Sequence, residues 1–143
     1  MKKILLAALT ILIPFSTMAQ QMTIKNECAL RAGMFSDILE LHNDPVKQCS
    51  KSQVKQYIHE VATGGTQTLN NCITQQRYKI PVNIDGKRYE VWADSVVENV
   101  WSDSQKAPGN FKDYLEACIN NPDKFINGPW LFKYSLAGYA DFK

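Results

Sequence analysis

Lys79-Ile80-Pro81-Val82-Asn83-Ile84-Asp85-Gly86-Lys87-Arg88-Tyr89-Glu90-Val91 is the stretch on which the fold class turns. Read in steps of two, Ile80, Val82 and Ile84 alternate, Asp85-Gly86 signals a turn, and Tyr89 and Val91 follow. That is the pattern of a β-hairpin. Read at helical spacing, Tyr89, Trp92, Ala93, Val96 and Val100, with Val97 and Trp101 one position on, hold a face for more than three turns. The longer periodicity favours a helix from about Lys87 to Ser102, started by Asp85 or Gly86 and preceded by a short extended arm. A minor two-stranded hairpin near residues 80–91 is the alternative.

Moving toward the N-terminus, Val54, Tyr57, Ile58 and Val61 predict a helix. Ser50 with Gln53 three residues later has the form of a capping box at its start, and Gly64-Gly65 stops it. Before it, Cys28, Ala32, Phe35, Leu39 and His42, with Ile38 alongside, form a helical stripe from Glu27 that Asn43-Asp44-Pro45 ends. Between these helices and the decisive stretch, Thr66 to Tyr78 predicts a more polar third helix carrying Leu69, Cys72 and Ile73. Toward the C-terminus, Asn110 is a good N-cap for a helix with Phe111, Tyr114, Leu115, Cys118 and Ile119 on one face, ended by Asn120-Asn121-Pro122. The remaining tail holds Phe125, Trp130, Phe132, Tyr134, Tyr139 and Phe142, an aromatic content too high for a disordered segment. It either wraps back over the helices or offers an aromatic surface to a partner. The predicted class is therefore mainly α, a bundle of four to five short helices.

The two ends of the chain set its context. Met1-Lys2-Lys3, the apolar run Ile4 to Phe15 and the small-residue exit Ser16-Thr17-Met18-Ala19 read as a signal peptide over residues 1–19. Residues 20–143 then form one helical domain with an aromatic tail. The apolar run is about half of the roughly 20 residues a membrane span requires, and no other segment is long enough. The 143 residues carry 16 Lys and Arg against 14 Asp and Glu. Both surplus lysines, Lys2 and Lys3, lie in the leader, so the mature chain is balanced and has no global attraction for nucleic acid or an anionic membrane. The expected address is the periplasm or the exterior of a Gram-negative cell.

Cys28, Cys49, Cys72 and Cys118 are an even set in an oxidising compartment, which predicts two disulfides. Their wide spacing disfavours a zinc site, and pairing disfavours a catalytic thiol. Cys28 with Cys118 would clamp the first helix to the last, leaving Cys49 with Cys72. The second pair faces a geometric condition. Cys49 precedes a helix of about 14 residues, roughly 21 Å long, and the chain must return over that length before Cys72. An extended Gly64 to Thr68 would suffice, whereas an immediate helical return would not.

Catalytic patterns are missing from the sequence. His59-Glu60 begins like HExxH, but Thr63 stands where the second His belongs. No serine has glycines two residues to either side, and Gly64-Gly65-Thr66 lacks the lysine of a phosphate loop. Asp94 and Glu98 share a helix face and read as solvated, as His42 reads as a buried or helix-capping residue. No cofactor or metal is expected.

A Cys heading an Ala-containing first helix, Val100-Trp101-Ser102 followed by Pro108, and a last helix ending Leu115-Glu116-Ala117-Cys118 together resemble a loose class of small exported α-helical proteins of Gram-negative bacteria. The resemblance spans about Glu27 to Ile119, implies an exported helical domain and carries over no functional residue. The chain also shares its format with periplasmic immunity proteins and inhibitors. The expected function is an exported, non-enzymatic binding protein of inhibitor or immunity type, occluding a protein partner through Trp130, Phe132 and Tyr134. The alternatives are a small secreted hydrolase using Asp94 or His59, and an envelope or secretion-apparatus scaffold.

Overall fold

The computed structural model describes the backbone of residues 12–102, 109–126 and 130–133, with side chains from residue 24 onward in those ranges. Helices α1 (Leu12–Asn43), α2 (Lys51–Ala62), α3 (Gly86–Trp101), α4 (Phe111–Asn120) and the single turn α5 (Pro122–Phe125) follow in order. α1 packs against α3 and α4, and α2 lies along α3, giving a small helical bundle. No strand forms among the described residues.

α1 begins earlier than the stripe from Glu27 predicts. Two faces of α1 are buried. The predicted face carries Cys28, Ala32 and Leu39, with half-buried Phe35 against the Tyr114 ring of α4 at 4.7 Å. The second carries Leu30, Met34, Ile38 and Leu41 into the core shared with α2 and α3. His42 ends the helix as a buried ring, edge-on to Trp101 at 4.6 Å, with Nδ1 2.8 Å from Asn43 Oδ1.

α2 starts as its sequence predicts. Ser50 Oγ accepts the Gln53 N–H at 3.2 Å, and Gln53 Oε1 accepts the Ser50 N–H at 2.8 Å. Val54, Tyr57, Ile58 and Val61 are its buried residues. Gly64, at φ +71°, turns the chain out of the helix in a conformation that β-carbon sterics disfavour for other residues.

The predicted third helix over Thr66 to Tyr78 does not form. Side-chain amides supply the backbone with partners that a helix would otherwise provide. Buried Gln67 is the hub: its Nε2 donates to the Tyr78 carbonyl at 2.8 Å, and its Oε1 accepts the Arg77 N–H at 2.8 Å. Gln76 closes on the Gln67 backbone from both sides, its Oε1 accepting the N–H at 2.9 Å and its Nε2 donating to the carbonyl at 2.7 Å. Asn70 Oδ1 accepts the N–H groups of Cys72 and Ile73, and Glu60 accepts both the N–H and the hydroxyl of Thr68. With no helix here, the return path to Cys49 is open.

The hairpin alternative near residues 80–91 is also overturned. Asp85 acts as the N-cap of α3, its Oδ1 accepting the Arg88 N–H at 3.1 Å, and Tyr89, Ala93, Val97 and Val100 bury the helical stripe. Ile84 instead makes an isolated antiparallel bridge with Phe132, far along the chain. An Asp-Gly pair can start a helix as well as turn a hairpin, and the longer apolar period decides between them.

Gly86 is fixed by contact. A β-carbon there would lie 2.2 Å from the carbonyl oxygen of Ala62, the last residue of α2. Gly86→Ala is therefore expected to force the end of α2 and the start of α3 apart, with a stability loss of about 1–3 kcal/mol. Urea unfolding midpoints of the two proteins measure it.

Two disulfides staple the bundle, Cys28–Cys118 between α1 and α4 with Cα atoms 5.7 Å apart, and Cys49–Cys72 between the α2 entry and the amide-rich loop at 5.3 Å. No described helix is long and apolar enough to cross a membrane.

Candidate functional site

Sequence reading missed a buried acid on α1. Glu27 and Arg31 are 0% and 1% exposed, on the same helix face as Met34 and Ile38. Glu27 Oε2 accepts Arg31 Nε at 2.8 Å. Its other oxygen accepts two backbone donors, the N–H groups of Leu131 at 2.5 Å and Phe132 at 3.0 Å. Arg31 Nη1 reaches the Phe125 carbonyl at 3.4 Å, and the guanidinium lies 5.0 Å from the centroid of the Trp92 ring. A Glu and an Arg four residues apart on an apolar face were the available signal.

These bonds hold the segment from Trp130 to Lys133 as a ledge against α1. Its other side is pinned by the Asp85 N–H donating to the Leu131 carbonyl at 2.8 Å and the Lys133 N–H donating to the Asn83 carbonyl at 2.6 Å. Leu131 points into the core. Trp130 and Phe132, on either side of it, are half-buried, with Phe132 packed on the core cluster. The structure thus places two of the three predicted contact residues on one hydrogen-bonded strip. Tyr134 lies outside the described residues.

A second polar centre joins α1 to the amide-rich loop. Asp37 accepts the Tyr57 hydroxyl at 2.5 Å and Arg77 through Nε at 3.0 Å and Nη2 at 2.6 Å. Arg77 Nη2 also lies 2.9 Å from Glu40 Oε2. Asp37, Glu40 and Arg77 line an open cleft of about 400 Å³ with Ser36, Gln75 and Tyr78. Burial, and then the Asp37 carboxylate, pushes the hydroxyls of Tyr57 and Tyr78 above their ordinary value. Tyr89 is raised as well, by burial first and then by Tyr78; its hydroxyl has no hydrogen-bond partner.

A raised phenol in the fold binds its proton more tightly than in the unfolded chain. The stabilisation is complete below the ordinary tyrosine range and is lost as pH rises through the folded values. Urea unfolding midpoints are expected to hold to about pH 9 and fall above about pH 10. Tyr57→Phe should make that fall shallower.

On the outer α2–α3 face, Glu98 holds both Lys51 and Lys55, and His59 Nδ1 lies 2.7 Å from Glu90 Oε1. Asp94 keeps one buried oxygen without a partner, and burial pushes its carboxyl up. His59 is exposed, and the polar cleft of Asp37 includes neither His59 nor Asp94. Among the described residues, no group of three or more His, Cys, Asp or Glu is placed to hold a metal ion. The chain matches no protein-family model, no curated protein and no solved structure.

Proposed function

We propose that this chain is an exported binding protein of inhibitor or immunity type, which occludes a protein partner in the periplasm. The observation that supports it is the ledge. Trp130 and Phe132 sit on a backbone tied at Leu131, Phe132 and Lys133 to Glu27, Asp85 and Asn83, so the chain that carries them needs little further ordering on contact. Large aromatic side chains on a preorganised strip are the usual anchors of a protein interface. The two disulfides suit an oxidising compartment.

The test is affinity capture with the oxidised mature protein from periplasmic extract and from competitor-bacterium lysate. The expected result is one stoichiometric enzyme whose activity falls on addition of this protein, with capture lost in Trp130→Ala. A captured enzyme that keeps full activity when saturated, or equal capture by the variant, overturns the occlusion reading. Self-association by size-exclusion chromatography, abolished by the same substitution, would favour the scaffold alternative.

A further inference from the structure

Next to the ledge, a cleft of about 390 Å³ opens between α1, α3 and Leu131. We propose that it binds a small amphipathic monocarboxylate, with the apolar body against Val91, Trp92 and Leu131 and the carboxylate at Lys87. This assignment is independent of any protein partner.

Size and rigidity come first. The volume lies within the roughly 300–1,000 Å³ of small-ligand sites, which are largely apolar with a few placed polar groups. The apolar walls are in place before binding. Leu131 is 1% exposed and pinned by its backbone bonds, while Trp92 is stacked by Arg31. Val91, 65% exposed, is an aliphatic side chain left at the mouth.

The charge argument fixes the ligand class. Among the described residues, Arg31, Lys87 and Arg88 line the cleft and no acidic residue does. Arg31 is matched by Glu27 at 2.8 Å, and Arg88 Nε lies 3.6 Å from Asp85 Oδ2. Among the described residues, Lys87 has no carboxylate within salt-bridge distance. One cation is therefore left over beside an apolar cavity, which matches a single negative charge on a hydrocarbon body. A neutral hydrocarbon would forgo pairing with the exposed lysine, and a dianion would bring a second charge with no counterpart.

Isothermal titration calorimetry of the oxidised mature protein decides the matter, with sodium octanoate, octan-1-ol as its neutral counterpart and octyl phosphate as the dianion. Octanoate should saturate at one equivalent and bind about fivefold more tightly than octanol. Lys87→Gln should erase that difference. Ser95→Trp, at an exposed position of α3 lining the same cleft, should abolish binding of both while leaving the circular dichroism of the fold unchanged. No saturable octanoate binding, equal affinity for octanol, or tighter binding of octyl phosphate overturns the proposal. So does octanoate binding that survives Ser95→Trp. Failure of the unsubstituted protein to capture any partner, with octanoate binding intact, would count against the occlusion reading alone.

Discussion

Replacing Cys28 and Cys118 together by alanine is expected to lower the unfolding free energy by about 4.6 kcal/mol, from the loop-entropy relation applied to their separation. The bond spans 90 residues, so its loss frees most of the described chain in the unfolded state. The same relation gives about 3.4 kcal/mol for Cys49 and Cys72, 23 residues apart. Both cysteines of the larger loop are 0% exposed, so alanine is the better replacement; serine would bury an additional hydroxyl. Urea unfolding of the two double variants should show the Cys28–Cys118 variant with the lower midpoint. An equal or reversed order would mean that the local wiring of the Cys49–Cys72 loop, and not chain entropy, sets the ranking.

Glu27→Ala is expected to cost about 3–5 kcal/mol, because it leaves the Arg31 guanidinium buried without its carboxylate. The loss has a second component. The N–H groups of Leu131 and Phe132 lose their acceptor, and a buried donor without a partner costs about 1–3 kcal/mol. The two parts separate in a double variant. Glu27→Gln with Arg31→Met removes the charge pair but keeps an acceptor oxygen facing the ledge, and should be clearly more stable than Glu27→Ala. If the two proteins unfold together, the ledge bonds contribute little and the ion pair is not the source of the cost.

What could be read in the sequence was whatever is decided within a few residues. The Ser50 capping box, the start of α3 at Asp85-Gly86 and the cap at Asn110 are local exchanges between a side chain and the next turn. The buried stripes of α2 and α3 follow from one apolar face each. α1 was only half legible, because a helix covered by neighbours on two sides shows two interleaved stripes, and Leu30, Met34 and Leu41 belong to the second. The loop from Thr66 to Tyr78 misled because its leucine and isoleucine spacing is helical while its amides bond the backbone at long range. Gln67 and Gln76, nine residues apart, outcompete the helix there. Glu27 was illegible for a stronger reason. A buried acid makes sense only with its acceptor role, and the Leu131 donor is 104 residues away. Trp130 and Phe132, named from the tail's aromatic content, lie on the ledge, but the backbone bonds that hold it join residues too far apart in the chain to be read there.

The two covalent links are nested, with Cys49–Cys72 lying wholly inside the span of Cys28–Cys118. In a chain that emerges N-terminus first, Cys28 meets Cys49 long before Cys118 exists as a partner. Oxidation in order of appearance would join the first two thiols and leave the wrong map. Correct pairing therefore requires either that thiols stay reduced until α4 arrives, or that a thiol–disulfide isomerase reshuffles the early product. Maturation of this protein is a timing problem, and the residue that keeps the clock is the last cysteine.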